Sequence, residues 1–148
     1  MFRGLTIINI DEKGRLAMPT KYRDDLKSSL VVTIDTEQRC LLLYPFKTWQ
    51  SIEEKLVGLP SFNAQARRIQ RLLIGHATEV ELDAHGRFLL PAPLREHAEL
   101  KKKAVLVGQG NKLEIWAETS WEEARTLWLT QPVQETDVLP VELQHLAL

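Results

Sequence analysis

The sequence predicts an α/β (α+β) fold made of two tandem copies of one unit that runs strand, turn, strand, short helix, strand, turn, strand, helix. Three observations lead there. Asp11-Glu-Lys-Gly-Arg-Leu-Ala-Met-Pro19 returns as Asp83-Ala-His-Gly-Arg-Phe-Leu-Leu-Pro91, an offset of 72 residues. The same register runs on without a gap through Arg23/Arg95, Leu41/Leu113 and Trp49/Trp121, with Ile8/Val80 and Leu43/Ile115 among the apolar pairs. In both copies, β-rich runs bounded by turn residues precede a run of helical period. A repeat of this length marks two copies of one supersecondary unit.

Each element follows from local chemistry. Leu5–Ile10 is rich in β-formers, and Asp11-Glu-Lys-Gly14 carries turn chemistry: Gly14 is free to take a positive φ and Asp11 can bond to its own turn. Arg15–Met18 reads as the returning strand, which places Lys13 and Arg15 at a hairpin tip. Pro19 ends that strand and opens a helix near Thr20–Leu26, because its missing N–H costs nothing at a first helical position. Leu30–Asp35 and Cys40–Pro45 bracket a second turn. Phe46, Trp49, Ile52 and Leu56 then recur at helical spacing over Phe46–Val57, stopped by Gly58 and Pro60. Asn63–Ile74 is a helix with Asn63 as its N-cap, apolar on Ala66, Ile69, Leu72 and Leu73 and basic on Arg67, Arg68 and Arg71.

The second copy repeats the scheme: strand Ala77–Leu82, turn Asp83–Gly86, strand Arg87–Leu90, a helix opened by Pro91, strands Ala104–Val107 and Lys112–Trp116, and a helix from Thr119 to Leu129. The remaining residues hold two prolines, several acids and no strong period, so they read as a loose tail.

Length and charge set bounds. A half of this size buries too little apolar surface to stand alone, so the copies are expected to share a core. Net charge is −1, but residues 1–116 carry +4 and residues 117–148 carry −5. A weakly basic body with an acidic tail neither supports nor excludes a polyanionic partner. The lone Cys40 sits in an apolar run, which fits a reducing compartment and a small buried side chain. No signal peptide or long apolar run appears, so a soluble cytoplasmic protein is expected, with no membrane partner.

The chemistry-bearing residues are basic. On a hairpin tip, Arg15 can give two hydrogen bonds to O6 and N7 of one guanine in a major groove. Lys13 can take a phosphate as a point charge or a second guanine. The structural alternative is that Asp11 and Arg15 pair within the turn and merely shape it. In the second loop Asp83, Gly86 and Arg87 persist, but His85 replaces Lys13 and Ala84 replaces Glu12. Arg87 therefore contacts DNA with less help, or its loop serves subunit contacts. The Arg67, Arg68 and Arg71 stripe binds phosphate, or is a solvated or inter-subunit face. Trp49 and Trp121 read as core, and Lys101–Lys103 as a solvated loop. His76, Glu79, Asp83 and His85 are close in sequence but lack metal-site spacing. No nucleophile motif or phosphate-binding glycine loop is present, so no enzyme, cofactor, metal or small-molecule substrate is expected.

The pattern Asp-x-x-Gly-Arg-x-x-x-Pro with Arg four residues later resembles the DNA-binding hairpin of the SpoVT/AbrB family of bacterial transition-state regulators. Two copies, with Met-Phe-Arg-Gly at the start and Arg-Arg-Ile-Gln-Arg-Leu-Leu-Ile-Gly-His-Ala in the middle, resemble the MraZ family within it, over roughly residues 1–130. The resemblance implies two swapped-hairpin units forming a pseudo-dimeric β-barrel with flanking helices, at residues 5–57 and 77–129. A connecting helix at 58–76 and an acidic tail at 130–148 complete the chain. It also implies a nucleoid-associated repressor of its own promoter and the adjoining division and cell-wall genes. That repressor forms ring-shaped homo-oligomers and binds double-stranded DNA at tandem G-rich direct repeats. Lys13, Arg15, His85 and Arg87 are its expected DNA-contacting residues. Arg3 joins them on family grounds alone, and Arg23 as either a DNA contact or a salt bridge across the barrel. The alternative within the same fold is an antitoxin-type protein whose main role is binding a partner protein.

Overall fold

The computed structural model describes residues 1–27, 29–132 and 146. The first copy comprises β1 (Leu5–Asn9), β2 (Arg15–Ala17), α1 (Thr20–Arg23), β3 (Leu30–Ile34), β4 (Leu41–Pro45) and α2 (Phe46–Val57). After α3 (Ala64–Leu73) come β5 (Thr78–Val80), β6 (Arg87–Leu89), α4 (Ala92–His97), β7 (Lys103–Gly108), β8 (Leu113–Ala117) and α5 (Glu118–Thr130). The helix ends obey the residues at them. Asn63 caps α3 by accepting from the Ala66 N–H at 3.0 Å, and Pro45 stands at the N-cap of α2, which Gly58 ends with an N–H to the Glu54 carbonyl.

The first expected hairpin opens almost at once. Only Ile10 opposite Leu16 bridges its two arms. Beyond that, β1 pairs antiparallel with β7 of the second copy, while β2 pairs with β6. The symmetry-related exchange occurs at β5, which pairs with β3. The copies thus trade strands, in line with the swapped-hairpin expectation, into a six-stranded sheet ordered β1-β7-β8-β4-β3-β5 and a two-stranded β2–β6 ribbon. The exchange occurs because each arm is apolar on the side that faces the other copy. Ile8, Ile10, Leu16 and Met18 from one copy share a buried cluster with Val80, Phe88, Leu90 and Leu94 from the other.

The outer face of the large sheet is covered twice. Val31, Leu42, Tyr44 and Trp49 lie with Leu56, Leu73 and Ile74 where α2 and α3 pack, and Thr33 Oγ1 donates to the Leu73 carbonyl at 2.6 Å. On the other half, Cys40 of the first copy lies with Val105, Val107 and Trp116 of the second, under Trp121 and Ala124 of α5. Trp49 is therefore core and Trp121 half-buried, at matching places.

The unbroken repeat register hides one compensated slip. Pro45 faces Leu30 in the β3–β4 pair, whereas Ala117, its equivalent, faces Ala104 rather than Lys102. Two residues are added before β7 and two removed from the following turn, so the sequence offset is restored by β8. The expected helix at Thr20–Leu26 shortens to Thr20–Arg23, and most of the tail lies outside the described residues.

Candidate nucleic-acid interface

The two Asp–Gly–Arg turns fold alike. Asp11 Oδ1 accepts from the backbone N–H of Lys13 at 3.0 Å and of Arg15 at 2.9 Å, while its Oδ2 accepts from Arg15 Nε at 2.6 Å. In the second turn Asp83 Oδ1 accepts from His85 N at 2.8 Å and Arg87 N at 2.9 Å, and Oδ2 from Arg87 Nε at 3.0 Å. Main-chain bonds close both turns, Gly14 N–H to Asp11 and Gly86 N–H to Asp83, each at 3.0 Å. Gly14 and Gly86 take φ of +85° and +74°, the left-handed conformation that side chains resist.

Electrostatics follow that geometry. The Asp11 carboxyl is held below its ordinary range, chiefly by the hydrogen bond from the Arg15 amide, with help from the Arg15 guanidinium and against some desolvation. Asp83 is lowered likewise, chiefly by the Arg87 amide. Each aspartate is thus a fixed anion that orients its arginine. With the described residues, Arg15 and Arg87 make side-chain hydrogen bonds through Nε alone. The forked terminal edge of each guanidinium, the edge that matches a guanine, stays available. Turn-shaping and base-reading are therefore compatible roles for one arginine.

The ribbon brings the two arginines together. Arg15 stands opposite Leu89 and Ala17 opposite Arg87. Leu16 and Phe88 between them point into the core, so Arg15, Ala17, Arg87 and Leu89 share the outer face. Arg15 and Arg87 are diagonal neighbours, with roots about 7–8 Å apart. The turns, with exposed Lys13 and His85, sit at opposite ends of the ribbon, tied by Leu90 N–H to the Gly14 carbonyl at 3.1 Å and Met18 N–H to the Gly86 carbonyl at 2.8 Å. In the fold the two loops are the two ends of one ridge that carries Lys13, Arg15, Arg87 and His85.

The other expected residues lie elsewhere. Arg23 sends its guanidinium over the turn of the opposite copy: a Cβ at Gly86 would collide with Arg23 Nε, which donates to the Met18 carbonyl at 2.9 Å. Its neighbour Asp24 pairs instead with Lys27 at 3.2 Å. Arg95 does the same at Gly14, where a Cβ would stand 2.5 Å from the guanidinium carbon. Sequence register matched Arg23 with Arg95 but carried no sign that each crosses to the other copy's turn. Arg3 lies beyond the opposite end of β1 from the first turn, exposed, with its carbonyl accepting from the Tyr22 hydroxyl and Gly108 packed on its backbone. Arg67, Arg68 and Arg71 are exposed on α3, and Lys101–Lys103 are exposed too.

One grouping escaped the sequence reading. Among the described residues, Asp35, Cys40 and Glu114 bring ligand-type atoms within 4.8 Å of one another. Trp116 Nε1 donates to Glu114 Oε1 at 3.0 Å, and burial raises the Glu114 carboxyl. Burial, with the Glu114 and Asp35 carboxylates, also drives the Cys40 thiol far up, which makes it unreactive. The pairing of β4 with β8 joins residues 74 positions apart, with no motif to betray it. His76, Glu79, Asp83 and His85 form no such group among the described residues. No helix among those residues is long and apolar enough to cross a membrane.

Two interlocked Asp–Gly–Arg turns on a shared ribbon define a tandem member of the swapped-hairpin class. Residues 1–72 and 73–127 each match the family described as "MraZ protein, putative antitoxin-like". The Transcriptional regulator MraZ of Legionella pneumophila (strain Corby) is 58% identical over 152 residues, covering 100% of both chains. Those of Coxiella burnetii (strain Dugway 5J108-111) and Halorhodospira halophila (strain DSM 244 / SL1) are 55% and 50% identical, again over 100% of both chains. The chain belongs to the MraZ family, a family of transcriptional regulators and not of enzymes.

Proposed function

We propose that this chain represses its own promoter and the adjoining division and cell-wall genes by binding tandem G-rich direct repeats as a cytoplasmic, nucleoid-associated homo-oligomeric ring. The observation that carries the DNA reading is the ridge of Lys13, Arg15, Arg87 and His85 on the outer face of the β2–β6 ribbon. A two-stranded ribbon fits the major groove, about 12 Å wide. There Arg15 takes a guanine through its forked edge, Lys13 and Arg87 take phosphates or a second base, and His85 adds less charge. Arg23 and Arg95 hold the turns at their mutual spacing. One subunit binds weakly, and several joined subunits on linked repeats bind tightly through effective concentration. Direct repeats suit neighbours related by successive rotations of one sense.

The test is an anisotropy titration against the protein's own upstream DNA, with the G-rich repeats scrambled as control and then removed one at a time. Affinity should fall faster than in proportion to repeat number. Equal affinity for native and scrambled DNA would sink the reading, and a single repeat bound as tightly as the array would sink the linked-ring mechanism.

The words "antitoxin-like" in the family description favour a second reading, in which the chain chiefly binds a partner protein. Two complete, intact turns speak for DNA as the main target. A stable complex with the product of a neighbouring gene, together with no preference for native upstream DNA, would reverse that order.

A further inference from the structure

The basic ridge carries one large apolar side chain. Of the large apolar groups exposed among the described residues, Leu89 alone belongs to the β2–β6 ribbon, and it is 54% exposed. The outer face of the ribbon holds two direct cross-strand pairs, Arg15 with Leu89 and Ala17 with Arg87, on either side of the buried Leu16–Phe88 pair. Each arginine thus stands beside an aliphatic neighbour, but the two neighbours differ in reach. Arg15 has a leucine and Arg87 only an alanine.

The same end of the ridge is the richer one in charge. The first turn holds Lys13 where the second holds His85, and the Leu90 N–H bonds the Gly14 carbonyl of that first turn. Lys13, Arg15 and Leu89 therefore gather at one end, and His85, Arg87 and Ala17 at the other. With the ribbon in a major groove, the middle of its outer face meets base edges and its turns meet the backbone. A leucine there offers no hydrogen bond, and pressing it on a carbonyl or amino edge strips that group of water without replacing it. The apolar group that a base pair presents in the major groove is the thymine C5 methyl. Directly opposed Cβ atoms lie about 4.5–5.5 Å apart, and successive base pairs rise by about 3.4 Å. Leu89 is thus spaced for the base pair beside the guanine that Arg15 takes.

We infer that Leu89 is a specificity-determining residue that reads the C5 methyl of a thymine next to the guanine held by Arg15. The inference deepens the DNA reading above and rests on it. It also gives a ribbon of near two-fold symmetry a direction on the duplex. The Lys13–Arg15–Leu89 end requires a guanine with a neighbouring A·T pair, while the His85–Arg87–Ala17 end requires less. Because the symmetry of a site mirrors that of its reader, two unlike ends suit sites repeated in one direction and not mirrored ones.

The test uses the full-length chain and anisotropy titrations against its own upstream DNA. Each thymine of the repeats is replaced in turn by deoxyuridine, at the matching position of every repeat, which removes the methyl and leaves every hydrogen-bonding edge in place. At one position beside a guanine, the wild type should lose about 4-fold in affinity at each engaged repeat, the worth of one buried methyl group. Leu89→Ala should bind native DNA more weakly and lose nothing further at that position. Leu89→Met keeps the apolar reach and should keep the uracil penalty. Light scattering and thermal melting first establish that both variants match the wild type in size and stability. A uracil penalty of equal size in wild type and Leu89→Ala would overturn the inference, as would no penalty at any position, or repeats with no A·T pair beside a guanine. A smaller oligomer in Leu89→Ala with an unchanged circular dichroism spectrum would assign the side chain to a subunit contact and overturn it as well. In all those cases the DNA reading stands so long as native DNA is preferred over scrambled. Equal affinity of the wild type for both would remove that reading and this inference together.

Discussion

Arg95 lies across Gly14, its guanidinium where a Cβ at that glycine would have to be, 2.5 Å away. Arg23 lies across Gly86 in the same manner, so each copy's short helix braces the other copy's turn. The turn is thus specified by two residues from different repeats: a glycine that leaves room and an arginine that fills it.

Gly14→Ala and Gly86→Ala should each destabilise the fold. The left-handed backbone alone costs about 1–2 kcal/mol for a residue with a side chain, and displacement of the arginine adds to it. A double-mutant cycle by chemical denaturation should find coupling between positions 14 and 95, and between 86 and 23, but none between 14 and 23. Coupling in the reverse sense would contradict the crossed arrangement.

Arg15→Ala should remove a two-pronged guanine contact, about 1–3 kcal/mol at each engaged repeat. Multiplied over linked repeats, that loss abolishes specific binding while the oligomer keeps its size. Arg87→Ala should be milder, because His85 gives its loop less charge than Lys13 gives the first. Anisotropy titrations on variants first shown intact by light scattering decide the matter. Intact Arg15→Ala oligomers that still prefer the G-rich operator would refute the role given to this loop.

Low pH should loosen both turns. The Asp11 and Asp83 carboxyls are lowered in the fold, so their contribution is fully present above the ordinary aspartate range and disappears as pH falls through the folded values. Unfolding of the wild type against the double variant Asp11→Asn, Asp83→Asn should differ at neutral pH and converge in acid. A gap that persists below both ranges would point to a packing effect of the amide.

Glu114 should behave in the opposite sense. Burial raises its carboxyl, so the fold favours the protonated form and loses stability as pH rises from the ordinary glutamate range through the raised one. Glu114→Gln keeps an oxygen for the Trp116 indole and removes the buried charge. The variant should therefore be more stable than wild type at neutral pH, with the gain vanishing in acid. Cys40 should resist thiol reagents until the chain unfolds.

Binding to DNA should weaken steeply with salt, because each phosphate contacted releases counterions, with a slope of about 0.9 per contact in a log–log plot. A duplex carrying a single G-rich repeat should show a much shallower slope than the full array, since fewer ridges engage one duplex. Equal slopes would mean that a single subunit makes all the contacts.

Much of this was legible in the chain. The period of Phe46, Trp49, Ile52 and Leu56 set α2 at the predicted residues, and Asn63 caps α3 as its side chain implied. The Asp-x-x-Gly-Arg turns formed as read, because the bonds that each aspartate makes to its own turn lie within five residues. Local chemistry of this range is written in local sequence. Strand β7 was less legible, since its two-residue slip is undone by the next turn and leaves no gap in the repeat.

The sequence by itself determined the elements, the duplication, the two turns and the family to which they belong. Only the tertiary structure decided which copy each arm pairs with, that Arg15 and Arg87 share one ridge, that Arg23 and Arg95 cross to each other's glycine, and that Glu114 meets Cys40. The reason is physical. Related repeats carry similar local preferences, so little within either copy distinguishes pairing with itself from pairing with its twin. That choice is made by the apolar faces of the strands, which are buried together only when the copies exchange them.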